Sequence, residues 1–181
     1  MKRPRILVAG IGNIFLGDDA FGVEVVRRLA RREQPEEVRV IDFGIRGLDL
    51  TYTLLDGYEA VILVDAAPRG EPPGTLYVLE PARGEAARVP IEGHSMDPGK
   101  VLRLAEAMGG RVECLLLVGC EPTPIRDEED MREGLSAPVR ASVDEAVRLI
   151  ESLVARLLSG ESIVAKCGVL IPEKEVPPCR E

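Results

Sequence analysis

Apolar positions along the chain follow two rhythms. Short unbroken runs, ended by glycine or aspartate, alternate with longer stretches in which apolar residues recur every three or four positions. Unbroken runs of this length suit strands buried on both faces, and the second rhythm marks helices that pack one face on a core. Residues 5–10 form the first such run. Residues 20–32 follow as a helix, with Phe21, Val25 and Leu29 at helical spacing and Asp18 or Asp19 placed to cap its free N–H groups. Residues 38–43 read as a second strand, 48–55 as a short helix stopped by Gly57, and 60–65 as a third strand.

The next run, 75–79, is separated from Asp65 only by AAPRGEPPG. A parallel crossover needs about a dozen residues or more, so this fourth strand is expected to be antiparallel. Asp97 and Pro98 resemble an N-cap and a first-turn proline, opening a helix that runs to Met108 before Gly109 and Gly110. Residues 112–118 supply a fifth strand. Residues 138–158 give the clearest helix, with Val139, Val143, Val147, Ile150, Val154 and Leu157 in step and Gly160 as its stop. The alternation predicts a three-layer α/β/α sandwich with a mostly parallel twisted sheet of about five strands, one of them antiparallel. One domain over 1–160 is expected, followed by a loosely ordered tail over 161–181 whose prolines and charges carry no periodicity.

Composition narrows the function. At 181 residues there is room for one ordinary domain. A net charge of −8 and a pI near 4.9 argue against nucleic acid, which demands a basic face, and make a basic protein or a cation the more natural partner. The opening MKRPRILVAGIGNI imitates a signal peptide, but Gly10, Gly12 and Asn13 break its apolar stretch. No run reaches the roughly 20 apolar residues that span a bilayer, and the expectation is a cytoplasmic protein with no membrane partner. Cys114, Cys120, Cys167 and Cys179 lack CxxC spacing and read as reduced thiols.

In an open α/β sheet, ligands collect beyond the carboxyl ends of the strands. Those ends carry GIGNIFLGDDAFG, DFGIRG and DAAP, with GHSMDP before a later helix. Gly10 and Gly12 begin a dinucleotide fingerprint, and Asp42 ends the second strand. The fingerprint then fails at Phe15, and two acids stand where a pyrophosphate needs positive charge. No nucleotide is expected. Asp19, Asp65 and His94 instead combine oxygen and nitrogen donors suited to nickel, zinc or cobalt. Each also has a plainer role: Asp19 as a helix cap, Asp65 as an acceptor for loop N–H groups, His94 as a structural or exposed residue, Gly44 and Gly47 as turn residues. The charge run over 126–133 reads as a solvated loop.

The segment GIGNIFLGDDAFGVEVVRRL resembles the opening signature of the [NiFe] hydrogenase maturation proteases. DFGIRG, LVDAAPRGEPPGTLYVLEP, GHSMDP, VGCEP and GLSAPVRASVDEAV then follow in that family's order, so the resemblance covers about residues 5–158. It implies an endopeptidase, grouped with aspartic-type peptidases, that removes the C-terminal extension of the hydrogenase large-subunit precursor once nickel is in place. It also implies that Asp19, Asp65 and His94 bind the divalent metal and serve catalysis, with the nickel carried by the substrate and zinc or cadmium able to substitute in the isolated protein. Asp42, Gly44 and Gly47 match the family's second glycine loop and are assigned to substrate binding. Phe43, Ile45 and Arg46 depart from its usual DGGTxG. No Ser-His-Asp order is apparent, so water is the expected attacker. Two rivals remain at this point: a nucleotide-binding oxidoreductase, and a nickel-sensing chaperone that uses the same ligands without cutting.

Overall fold

The computed structural model describes residues 4–80, 98–124 and 134–161. Its strands are β1 (Ile6–Ile11), β2 (Val38–Gly44), β3 (Ala60–Ala66), β4 (Leu76–Leu79) and β5 (Cys114–Cys120). Its α-helices are α1 (Phe21–Leu29), α2 (Gly47–Leu54), α3 (Pro98–Ala107) and α4 (Ala137–Leu158), and a short 3-10 turn spans Gly17–Ala20. The strands form one sheet in the order β2-β1-β3-β5-β4. All neighbours are parallel except β4, which runs antiparallel to β5, as its short connection requires.

Side chains alternate across a strand, so an apolar run serves two cores at once. Ile6 and Val8 of β1, Ile62 and Val64 of β3, and Leu116 and Val118 of β5 join the core under α1 and α4. Leu7, Ala9, Val61, Leu63 and Leu117 point the other way, to Leu50 and Leu54 of α2 and Val101, Leu102 and Ala105 of α3. Two cores on opposite faces are why these strands read as unbroken apolar stretches rather than alternating ones.

Three expectations need adjustment. The fifth strand lies two residues later than its apolar run suggests, because Asp65 and Ala66 pair with Gly119 and Cys120 and draw it out to that end. The first helix is shorter than 20–32: a 3-10 turn precedes it, and α1 ends at Leu29. Neither Asp18 nor Asp19 caps it. The N-cap of α1 is Ala20, which has no side-chain capping bond, and both aspartates bond elsewhere. Asp97, 126–133 and the tail over 162–181 lie outside the described residues.

The closeness of α1 to the sheet rests on Gly22. A Cβ there would lie 2.0 Å from the Val64 carbonyl oxygen and 2.4 Å from that of Ile11. Both contacts are with backbone, so Gly22→Ala must lift α1 off β1 and β3. We expect a loss of about 1 to 3 kcal/mol, measured by urea denaturation, as for other overpacked cores.

Candidate active site

Adjacent parallel strands β1 and β3 end side by side, with Gly10 opposite Val64. The loop leaving β1 folds back at once. Gly12 has φ of 134°, and a Cβ there would sit 1.8 Å from the Asp19 carbonyl oxygen, so no other residue fits this crossing. The fold-back lets the Asn13 N–H donate to Asp19 Oδ2 at 2.6 Å, while Asn13 Oδ1 accepts from the Phe15 N–H at 3.0 Å. Asp19 is thereby brought, half-buried, to the end of β3.

Asp65 waits there, only 4% exposed. Its Oδ1 accepts from the Ala66 N–H at 2.8 Å, so the plainer role foreseen for it is filled on one oxygen. Burial raises the Asp19 carboxyl above its ordinary value, against the lowering effect of the Asn13 N–H. Asp65 is held well above the ordinary value, first by burial and then by the negative charge of Asp19, with the Ala66 N–H opposing. Burial thus raises the proton affinity of both carboxylates, and the charge of Asp19 adds to that of Asp65. Among the described residues neither has an ion-pair partner, and no group of three His, Cys, Asp or Glu side chains forms a metal cage. His94, the third residue expected here, lies outside the described residues.

The second loop is joined to the first through backbone, with the Gly12 N–H donating to the Gly44 carbonyl at 3.1 Å. Gly44 takes φ of 53° at the turn out of β2, and Gly47 opens α2. The Asp42 carboxylate is held by Arg27 of α1, whose Nε lies 2.9 Å from its Oδ2. Arg46 folds back to donate to the carbonyls of Asp42 and Phe43. Asp42 and Arg46 thus brace the loop, while Phe15 and Ile45 stand out from the two loops, 71% and 59% exposed.

Glu121, in the VGCEP segment, has a part that its sequence position did not disclose. It is 5% exposed, immediately beyond β5. Its carboxylate accepts from the Arg69 N–H at 2.8 Å, the Gly70 N–H at 3.1 Å and the Tyr77 hydroxyl. Burial acts to raise its pKa, but these bonds and one from the Glu71 N–H outweigh it and hold the carboxyl below its ordinary value. Glu121 therefore ties the connection after Asp65 to the ends of β4 and β5. An acid directly after an apolar strand and before a proline is the only local sign of such a role.

Among the described residues, the thiols offer no nucleophile here. Cys120 is buried against Ser142 of α4, and burial is the main cause that pushes its thiol up to about 11. Cys114 is raised by burial as well, and Cys167 and Cys179 lie outside the described residues. A protonated buried thiol is inert.

Comparison with known proteins agrees with this architecture. A family model described as hydrogenase maturation protease matches residues 23–153, a span that includes Asp65 and His94 and begins after Asp19. The hydrogenase expression/formation protein HupD of Rhizobium leguminosarum is 37% identical over 158 residues, covering 82% of this chain and 75% of its own. The hydrogenase maturating endopeptidase HybD of Escherichia coli superposes with a TM-score of 0.72 at 28% identity, over 84% of this chain and 93% of that one. A hydrogenase 2 maturation peptidase from a Thaumarchaeota archaeon gives 0.62 at 32% identity, over 83% and 98%. The matched family model spans most of the sheet and its helices, and the solved structures share their arrangement, so the oxidoreductase reading falls away: the chain belongs to the hydrogenase maturation protease family.

Proposed function

We propose that this peptidase removes the C-terminal extension from the large-subunit precursor of a [NiFe] hydrogenase, and that nickel already bound in the precursor is what it recognises. The observation that carries the reading is the pair Asp19 and Asp65, two carboxylates gathered at one strand end with no positive partner among the described residues. Such a pair fits a divalent ion delivered by the substrate, and His94 would complete a set of two oxygens and one nitrogen. Contact with the metal would hold the neighbouring peptide bond in place beside the carboxylates. Water then adds to the carbonyl carbon, the C–N bond breaks, and the departing nitrogen takes a proton. Among the described residues no cysteine offers itself for a covalent intermediate: burial raises the Cys114 thiol, and the Cys120 thiol is protonated and buried on the α4 side of the sheet. Asp42, Gly44 and Gly47 would shape the loop against which the precursor chain lies. No described helix is long and apolar enough to cross a membrane.

The test uses nickel-loaded and nickel-free precursor, with the mass lost from each followed over time. Only the loaded form should be cut, and His94→Ala should abolish cutting while circular dichroism stays unchanged. Binding without loss of mass would instead support the chaperone reading. In the isolated protein, zinc or cadmium should bind weakly, and affinity should fall as pH drops below about 6.5, because a coordinating imidazole must be neutral. A titration indifferent to pH or to His94→Ala would remove the histidine from the site.

A further inference from the structure

Asp18 stands next to Asp19 and faces the opposite way. Its Oδ1 accepts from the Ser136 N–H at 2.7 Å, and its Oδ2 accepts from the Thr123 N–H at 2.8 Å and the Ser136 hydroxyl at 2.8 Å. The Thr123 hydroxyl in turn lies 2.9 Å from that of Ser136. Ser136 is the N-cap of α4 but makes no capping bond of its own, because its hydroxyl is turned to Asp18. One half-buried carboxylate therefore gathers the chain leaving β5 and the chain entering α4, and holds both against the 3-10 turn.

We infer that Asp18 is a positioning residue for Asp19. The two aspartates occupy successive places in a four-residue 3-10 turn. With three residues per turn, neighbouring side chains diverge by about 120°, so anchoring one fixes the direction of the other. Asp18 is anchored at three donors on one side, and Asp19 is bonded to the Asn13 N–H on the other. The peptide between them has little rotational freedom, and the Asp19 carboxylate is held in the attitude from which it meets Asp65. This inference rests on the reading that Asp19 contacts the substrate's metal.

The test is Asp18→Asn in the full chain. Asparagine keeps the size of the side chain and one acceptor oxygen, but its amide nitrogen would confront an N–H donor. The Asn13 amide, bonded to Asp19 Oδ2, reports the attitude of Asp19 without any metal. We expect its hydrogen exchange to accelerate about tenfold while amides in the middle of α4 keep their protection. Turnover of nickel-loaded precursor should fall about tenfold, the scale of lost outer-shell support, with KM little changed. If Asp18→Asn does not fold, Ser136→Ala, which removes one of the three donors and leaves the backbone bonds, should shift the Asn13 amide in the same direction by less. An unaltered Asn13 amide overturns the inference, and so does unaltered turnover when that amide has moved. Failure of the metal reading would show differently, as normal processing by Asp19→Asn.

Discussion

Asp65→Asn is expected to give a protein at least as stable as its parent and unable to process its precursor. The two effects share one cause. Asp65 is 4% exposed and lies near a second carboxylate, so its ionised form is disfavoured by burial and by like charge. Asparagine fills the same space, still accepts the Ala66 N–H through its oxygen, and brings no charge. Processing should fall by about two orders of magnitude or more, the scale reached when a group that handles charge in a hydrolytic transition state is removed. Stability in urea should hold or rise.

The pH dependence checks the cause separately. The folded Asp65 carboxyl binds its proton more tightly than the unfolded one, so above the unfolded value of 3.8 the native state carries the extra proton. Stability of the metal-free protein should therefore fall as pH rises from there through the folded pKa, and Asp65→Asn should flatten that slope. An inactive variant with the parent's slope would show that the carboxylate is not the source of the strain. A fully active one would end the metal assignment.

A marked loss of stability should come from Glu121→Ala. Removing this buried carboxylate leaves the buried Tyr77 hydroxyl without its acceptor and releases the Arg69 and Gly70 N–H groups, on an exposed stretch, to water. A buried orphan costs about 1 to 3 kcal/mol, and a loss of that size is expected in a urea melt. Tyr77→Phe made in the same protein removes one orphan, and the pair should lose less than the two single variants added together. Because the folded Glu121 carboxyl lies below its ordinary value, its contribution is present above the unfolded pKa, 4.5, and is lost as pH falls through the folded one. The acid limb of the stability profile should shrink in Glu121→Gln. Additive losses would mean that the Tyr77 hydroxyl finds another partner.

Much of this was legible in the sequence, and the division has a physical origin. Strands buried on both faces advertise themselves by composition, so β1, β3 and the antiparallel β4 could be read from apolar runs and the spacing between them. Asp19 and Asp65 stood out because strand ends in such sheets are where ligands gather, and the structure does bring them together. Asp18 was mistaken for a cap because its real partners, Thr123 and Ser136, are more than a hundred positions away and leave no periodic trace. Glu121 was visible as part of a motif but not as an anchor, since its donors are backbone N–H groups that any residue could supply. Asp42 reads as a substrate contact by position, yet its carboxylate is engaged with Arg27 of α1, while Arg46, a departure from the family's loop, bonds the loop's own carbonyls.

The strand order has a kinetic side as well. The three central strands begin pairing at positions 6, 60 and 114, each more than fifty residues from the last. Closing such distant contacts spends chain entropy before burial repays it, which places the chain among slow-folding topologies of high contact order. Asp19 and Asp65 belong to separate segments that meet only when β1 and β3 have paired. On the proposed reading, a chain in which β1 and β3 have not yet paired holds no assembled Asp19–Asp65 pair, and proteolytic competence waits on that long-range step.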